Sequence, residues 1–163
     1  MEEDSLESRK FFTQAISTSE AAYADFDQIG TAFEIPEVAI HKGQPVVLES
    51  LTVIDKVSQS AALVIFFFSK LPTVASSDNA ALSITDAEME AKCIGKVDIA
   101  TTDYKAIAAS SVATKSNIQL HLKPGDTKSG EVTGQSLYAI VMSNGTPDYT
   151  LGTDLILKMG FKQ

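Results

Sequence analysis

The chain has two histidines, His41 and His121, and a metal site or an imidazole base would have to start from one of them. His41 lies in the connection Pro36–Gln44 and His121 on the polar side of an alternating stretch. Neither has a second ligand at metal-binding spacing, so both read as surface residues. Serines are plentiful, but a serine nucleophile needs an elbow of the GxSxG kind to hold it against a base, and none occurs. The run Gly125–Gly130, GDTKSG, has the flavour of a phosphate loop but not the GxxxxGK[ST] order, and it precedes a strand; a hairpin loop explains it. Asp25 with Asp27, and Asp78, Asp86, Glu88 and Glu90, are carboxylates of the type that binds calcium. The ligand pattern of a loop of about twelve residues is missing, and acids at a helix start are explained by the helix dipole. Asn144-Gly145-Thr146 matches a glycosylation acceptor and reads as a turn. Cys93, the single cysteine, forms no intrachain disulfide and fits a reducing compartment. The expectation is a protein that is not an enzyme, with no catalytic residue, metal or cofactor.

What survives is a candidate for contact rather than catalysis. Phe11 and Phe12 follow the polar start MEEDSLESRK, and aromatics next to basic residues anchor protein interfaces. The expected partner or subunit interface is therefore Arg9, Lys10, Phe11 and Phe12, with a first core strand as the competing reading of the two phenylalanines. The 163 residues carry 13 basic and 21 acidic side chains, a formal net charge of -8, which speaks against a surface for nucleic acid. The longest apolar run is far shorter than the roughly 20 residues a membrane helix needs. MEEDSLESRK has no apolar stretch after its cations, so no secretory signal is expected and synthesis in a cytosol is.

The elements that would carry these residues centre on Pro45–Pro72. In its first half Val47, Leu51 and Val53 would face one side of a strand and Val46, Leu48 and Ile54 the other. Ala61–Phe68 is apolar throughout and rich in β-branched and aromatic residues, which suits a strand covered on both faces. Upstream, Ile29, Thr31, Phe33 and Ile35 share one face of a strand ended by Pro36. Downstream, Ala80–Ile84 reads as a short strand, and Thr85 with Glu88 as a capping box for a helix Asp86–Lys92. Short strands follow around Ile94–Ile99 and Tyr104–Ala108. Ile118, Leu120 and Leu122 alternate with polar residues, Leu137–Met142 is strand again, and Leu155, Leu157, Met159 and Phe161 form a last alternating strand. Short strands at this spacing predict an all-β fold: a jelly-roll-like antiparallel β-sandwich over residues 28–163, with one short helix and a partner-contacting N-terminal arm over 1–27.

Asp27-Gln28-Ile29-Gly30, LESLTVIDK (Leu48–Lys56), ALVIFFFS (Ala62–Ser69), SITDAEM (Ser83–Met89), SVATKSNIQL (Ser111–Leu120) and NGTPDYTLGTDLILKMGF (Asn144–Phe161), in that order, resemble head decoration, or cement, proteins of tailed bacteriophages. The resemblance runs from Asp27 to the end of the chain. It implies a structural virion protein on the capsid exterior, a homotrimer touching the major capsid protein, with neither nucleic acid nor membrane as partner. A tail, baseplate or head-fibre component of the same fold, or a glycan-binding module using the loop residue Tyr149, is the alternative. A cupin-like metalloenzyme would need more histidines than this chain has.

Overall fold

The structure, a computed structural model, describes residues 8–125, 135–150 and 152–163. Its body is an antiparallel β-sandwich. One sheet runs in the order β1 (Arg9–Thr18), β10 (Gly152–Lys162), β3 (Val46–Asp55), β7 (Ser110–Lys115), β6 (Tyr104–Ile107), with β8 (Leu120–Leu122) also on β3. The other runs β2 (Gln28–Ile35), β9 (Leu137–Ser143), β4 (Leu63–Phe68), β5 (Cys93–Ile99). The single α-helix among the described residues, α1 (Asp86–Lys92), lies between β4 and β5.

Alternation places the core as expected along β10, where Leu155, Leu157, Met159 and Phe161 are all buried. They meet Leu63, Ile65 and Phe67 of β4 and Ala139 and Val141 of β9 across the sandwich. β4 is indeed covered on both faces. Val64 and Phe68 are buried on its far side, together with Ile140 of β9, and Phe66 helps line an apolar cavity of about 170 Å³ with Leu82, Ile84 and Met89. The 71–92 excursion is therefore a lid over the outside of the second sheet, and a continuous apolar strand is what such a two-sided position demands.

Several strand expectations need correction. In β3 the buried residues are Val46 and Leu48, then Leu51 and Val53, so the facing reverses partway. An extra residue at Glu49 does this: Ser50 pairs with Gly160 while Leu48 pairs with the next residue, Phe161. The Glu49 carbonyl accepts the Ile118 N–H at 3.1 Å. Across from this bulge, Asn117 and Gln119 take positive φ, which confines the strand expected from Ile118 to Leu120–Leu122. In β2 the shared face of Ile29, Thr31, Phe33 and Ile35 is broken after Ile29, because Gly30 (φ +72°) turns the backbone and leaves Thr31 exposed. Ala80–Ile84 makes only an isolated bridge, Ala81 to Asp27, rather than a strand.

The helix forms where its cap puts it. Thr85 Oγ1 accepts the Glu88 N–H at 3.2 Å, but Glu88 does not complete the reciprocal box. Its carboxylate takes the Thr73 N–H at 2.8 Å and the Lys92 ammonium at 2.7 Å instead, tying the incoming loop to the helix.

Arg9–Thr18, expected within an arm of residues 1–27, is strand β1 of the sheet. Pairing runs from Arg9 opposite Lys162 to Thr18 opposite Gly152. Ile16, Tyr23 and Asp27 are buried, so the folded unit extends across the boundary expected at residue 27.

Candidate functional site

All four residues expected at an interface lie on β1, and strand geometry divides them into two pairs. Arg9 and Phe11 point away from the sandwich, Lys10 and Phe12 toward it. Phe12 is half-buried and packs on the core, its ring stacked on Phe33 with centroids 6.5 Å apart and planes 15° apart. Phe11 is 76% exposed. The two neighbours therefore have opposite duties, one fastening β1 to the second sheet and one presented outward.

Phe11 stands over a glycine. It is paired across the strands with Gly160, where an added Cβ would lie 3.2 Å from the Phe11 ring and 2.7 Å from Ser50 Oγ. Gly160 thus lets the aromatic ring lie down on the sheet backbone. A shallow depression results, lined by Phe11, Thr13, Ser50, Thr52, Lys158 and Gly160 among others.

The surroundings are basic in a chain of net charge -8. Arg9 sits directly opposite Lys162, and Lys158 opposite Thr13, all on the outward face. Arg9 Nε holds the Glu49 carboxylate at 3.2 Å, the acid raised by the β3 bulge, and its side chain remains about half exposed at 53%. Sequence reasoning found the β1 residues and missed Lys158, Gly160 and Lys162. The signal was present, since the buried set Leu155, Leu157, Met159 and Phe161 fixes the intervening residues on the wet face.

His41 and His121 are exposed. Asp27 accepts the Ala24 N–H at 2.7 Å, and Asp78 accepts both the Tyr23 hydroxyl and the Gly30 N–H at 2.7 Å, so these carboxylates organise the β1–β2 connection. Asn144-Gly145-Thr146 follows β9 in a turn, where Ser143 Oγ donates to the Gly145 carbonyl at 2.8 Å. Cys93 opens β5, half-buried. Residues 126–130 of the glycine-bounded loop lie outside the described residues. Among the described residues no three His, Cys, Asp or Glu side chains come together in a way that could hold a metal ion.

Tyr149, weighed as a sugar platform, is buried. Its ring meets Tyr23 edge-on, centroids 5.9 Å apart, which leaves no face for a ligand to stack on. The Tyr149 and Tyr104 hydroxyls are buried without a hydrogen-bond partner among the described residues. Burial, and next the Asp55 carboxylate, push both hydroxyls well above the ordinary tyrosine range. Asp55 is itself fully buried at the end of β3, where it accepts N–H groups of Val57 at 3.0 Å and Ser60 at 2.8 Å. Two donated N–H bonds make a buried carboxylate tenable, and they pin the turn into β4.

The chain matches no protein-family model and no curated protein.

Proposed function

We propose that this chain is a structural virion protein, a decoration or cement protein that seats on the outer surface of a tailed-bacteriophage head and bridges subunits of the major capsid protein. The observation that carries the reading is Phe11, three-quarters exposed on a flat sheet face and flanked by Arg9, Lys158 and Lys162. An aromatic side chain with cations around it, held by a rigid two-layer scaffold, is the composition of an interface centre. The ordered strand order also supports a jelly roll: β1-β10-β3-β7 faces β2-β9-β4-β5, so the chain repeatedly crosses between sheets and its first and last strands are neighbours.

In this proposal the active unit is a homotrimer. Three linked copies, each making a modest contact, hold several capsid subunits by multivalency. Nothing in that task requires a reaction. The protein is made in the host cytoplasm and ends on the capsid exterior.

The test is occupancy on purified particles. Heads lacking the protein are mixed with it and sedimented, and bound copies are counted by mass spectrometry. Wild type loads to hundreds of copies per head, and Phe11→Ala with Lys158→Glu lowers loading at least tenfold while the variant stays folded. Wild-type loading by that variant overturns the assignment of the contact. A handful of copies per virion overturns the shell location and favours a tail, baseplate or head-fibre component.

A further inference from the structure

The lid covers the outer face of the second sheet unevenly. Val64, Phe66 and Phe68 alternate with the core residues of β4 and so share that face, yet Val64 and Phe68 are buried while Phe66 between them is only half-buried. Phe66 supplies the sheet side of the apolar cavity of about 170 Å³, and its other described walls are Leu82, Ile84 and Met89. Leu82 and Ile84 belong to the returning half of the lid, and Met89 to α1. All four residues are half-buried, so the cavity is open to solvent.

The walls are fixed by bonds made away from the cavity. Leu82 N–H donates to the Phe26 carbonyl at 2.9 Å, next to the bridge between Ala81 and Asp27. Ser83 N–H donates to Ser76 Oγ at 2.9 Å, and Ser76 Oγ in turn donates to Gln28 Oε1 at 2.8 Å, which fastens the lid to β2. The helix is tied down at both ends, since Thr73 N–H donates to Glu88 and Ser69 N–H donates to the Lys92 carbonyl at 2.8 Å. The cavity is therefore preformed, and filling it does not require ordering the chain around it. Met89 is its one adaptable wall, because an unbranched thioether reshapes around what it touches.

We propose that this cavity binds one compact apolar molecule, a single unsubstituted ring or a short branched hydrocarbon. Volume sets the size. An apolar cavity of about 150 Å³ takes benzene or xenon, whereas pockets for cofactors and drug-sized ligands begin at about 300 Å³. Lining sets the chemistry. Phe66, Leu82 and Ile84 have no hydrogen-bonding side-chain group and the Met89 sulfur is a weak acceptor, so a polar ligand surrenders its bonds to water and receives none in return. Water against such walls is poorly held, and an apolar group that displaces it gains affinity. The proposal uses neither β1 nor the capsid and stands apart from the decoration reading.

The probe is benzene, titrated into the whole chain and followed by NMR at the methyl groups of Leu82, Ile84 and Met89. Their signals should shift saturably, and pyridine, the same shape with a ring nitrogen that loses its water, should bind at least tenfold more weakly. Leu82→Phe places a ring in the cavity from within and should abolish benzene binding at the Ile84 and Met89 methyls while the sandwich stays folded. If Leu82→Phe unfolds, Met89→Ala serves: it widens the cavity and should bind p-xylene several-fold tighter than wild type does. Shifts that never saturate, equal affinity for the two rings, shifts centred on Phe11, or unchanged binding in the folded variants overturn the proposal. So does a free chain that ignores benzene while its three methyl signals become shielded on loaded heads, an outcome that gives the cavity to a side chain of a partner. Benzene binding by a chain that never loads refutes decoration and leaves the cavity standing.

Discussion

Replacing Phe11 and Phe12 in turn by alanine separates presentation from packing, because the same truncation is made at adjacent positions on opposite faces of one strand. Phe11 is 76% exposed, so about a quarter of a ring of roughly 200 Å² is withdrawn from water, about 50 Å². At ~25 cal/mol per Å² that is ~1 kcal/mol, an upper bound against a compact unfolded state. In a domain of this size ~1 kcal/mol lowers Tm by about 2–4 °C. Phe12 packs on the core and stacks on Phe33, and its loss opens a gap the sandwich cannot close. That change should cost about 3 kcal/mol, toward the low end for a core phenylalanine because Phe12 is only half-buried. Loading on heads should order the other way: Phe11→Ala should bind at least tenfold worse, while Phe12→Ala, kept below its Tm, should lose less. Calorimetry and sedimentation on the same preparations give both numbers. A Phe11→Ala variant less stable than Phe12→Ala would refute the division of β1 into outward and inward faces.

Asp55→Ala strips the acceptor from two half-buried N–H groups and should cost about 3 kcal/mol in urea unfolding, whereas a cost below ~1 kcal/mol would mean the β3–β4 turn does not depend on it. Tyr104 and Tyr149 stay neutral in the fold well above the ordinary tyrosine value of 10.0, at which the unfolded chain ionises. Their contribution is complete below pH 10 and drains away as pH rises above it, so alkaline Tm should fall steeply, and Tyr104→Phe with Tyr149→Phe should flatten that fall without loss at pH 7. Glu88 is held below the ordinary carboxylate value, first by Lys92 and next by the Thr73 N–H, so its contribution is present above that value and is lost as pH falls through the depressed one. The protection of the Thr73 amide, its exchange rate relative to the intrinsic rate at the same pH, should accordingly fall in acid, and Glu88→Gln should remove that dependence. Gly30→Ala meets Ser17 O and Ile16 Cγ2, both at 3.0 Å, at φ +72°, and should destabilise by about 2 kcal/mol in chemical denaturation.

The features visible in the sequence were those set by local periodicity. β10 announces its buried face through Leu155, Leu157, Met159 and Phe161, β4 its two-sided cover through unbroken apolarity, and α1 its start through Thr85. What stayed hidden depends on events between distant segments. The bulge at Glu49 adds one residue to β3 with no mark in composition, and everything upstream of it changes sides. β1 was divided between an arm and a strand because Phe11 and Phe12 look alike, and only the register with Gly160 and the stack on Phe33 tells them apart. The basic border was missed for the same reason, since Arg9 and Lys162 become neighbours only when the sheet closes.

That β1 pairs with β10 also sets a timetable for synthesis. At a ribosomal pace of about 5–20 residues per second, Arg9 emerges on the order of ten seconds before Lys162 exists to receive it. Throughout that interval the nascent segment has both flanks unclaimed and Ile16 bare, and closure then requires contacts between opposite ends of the polypeptide, a slow kind of search. The hazard of premature clumping is thus concentrated in this one ribbon.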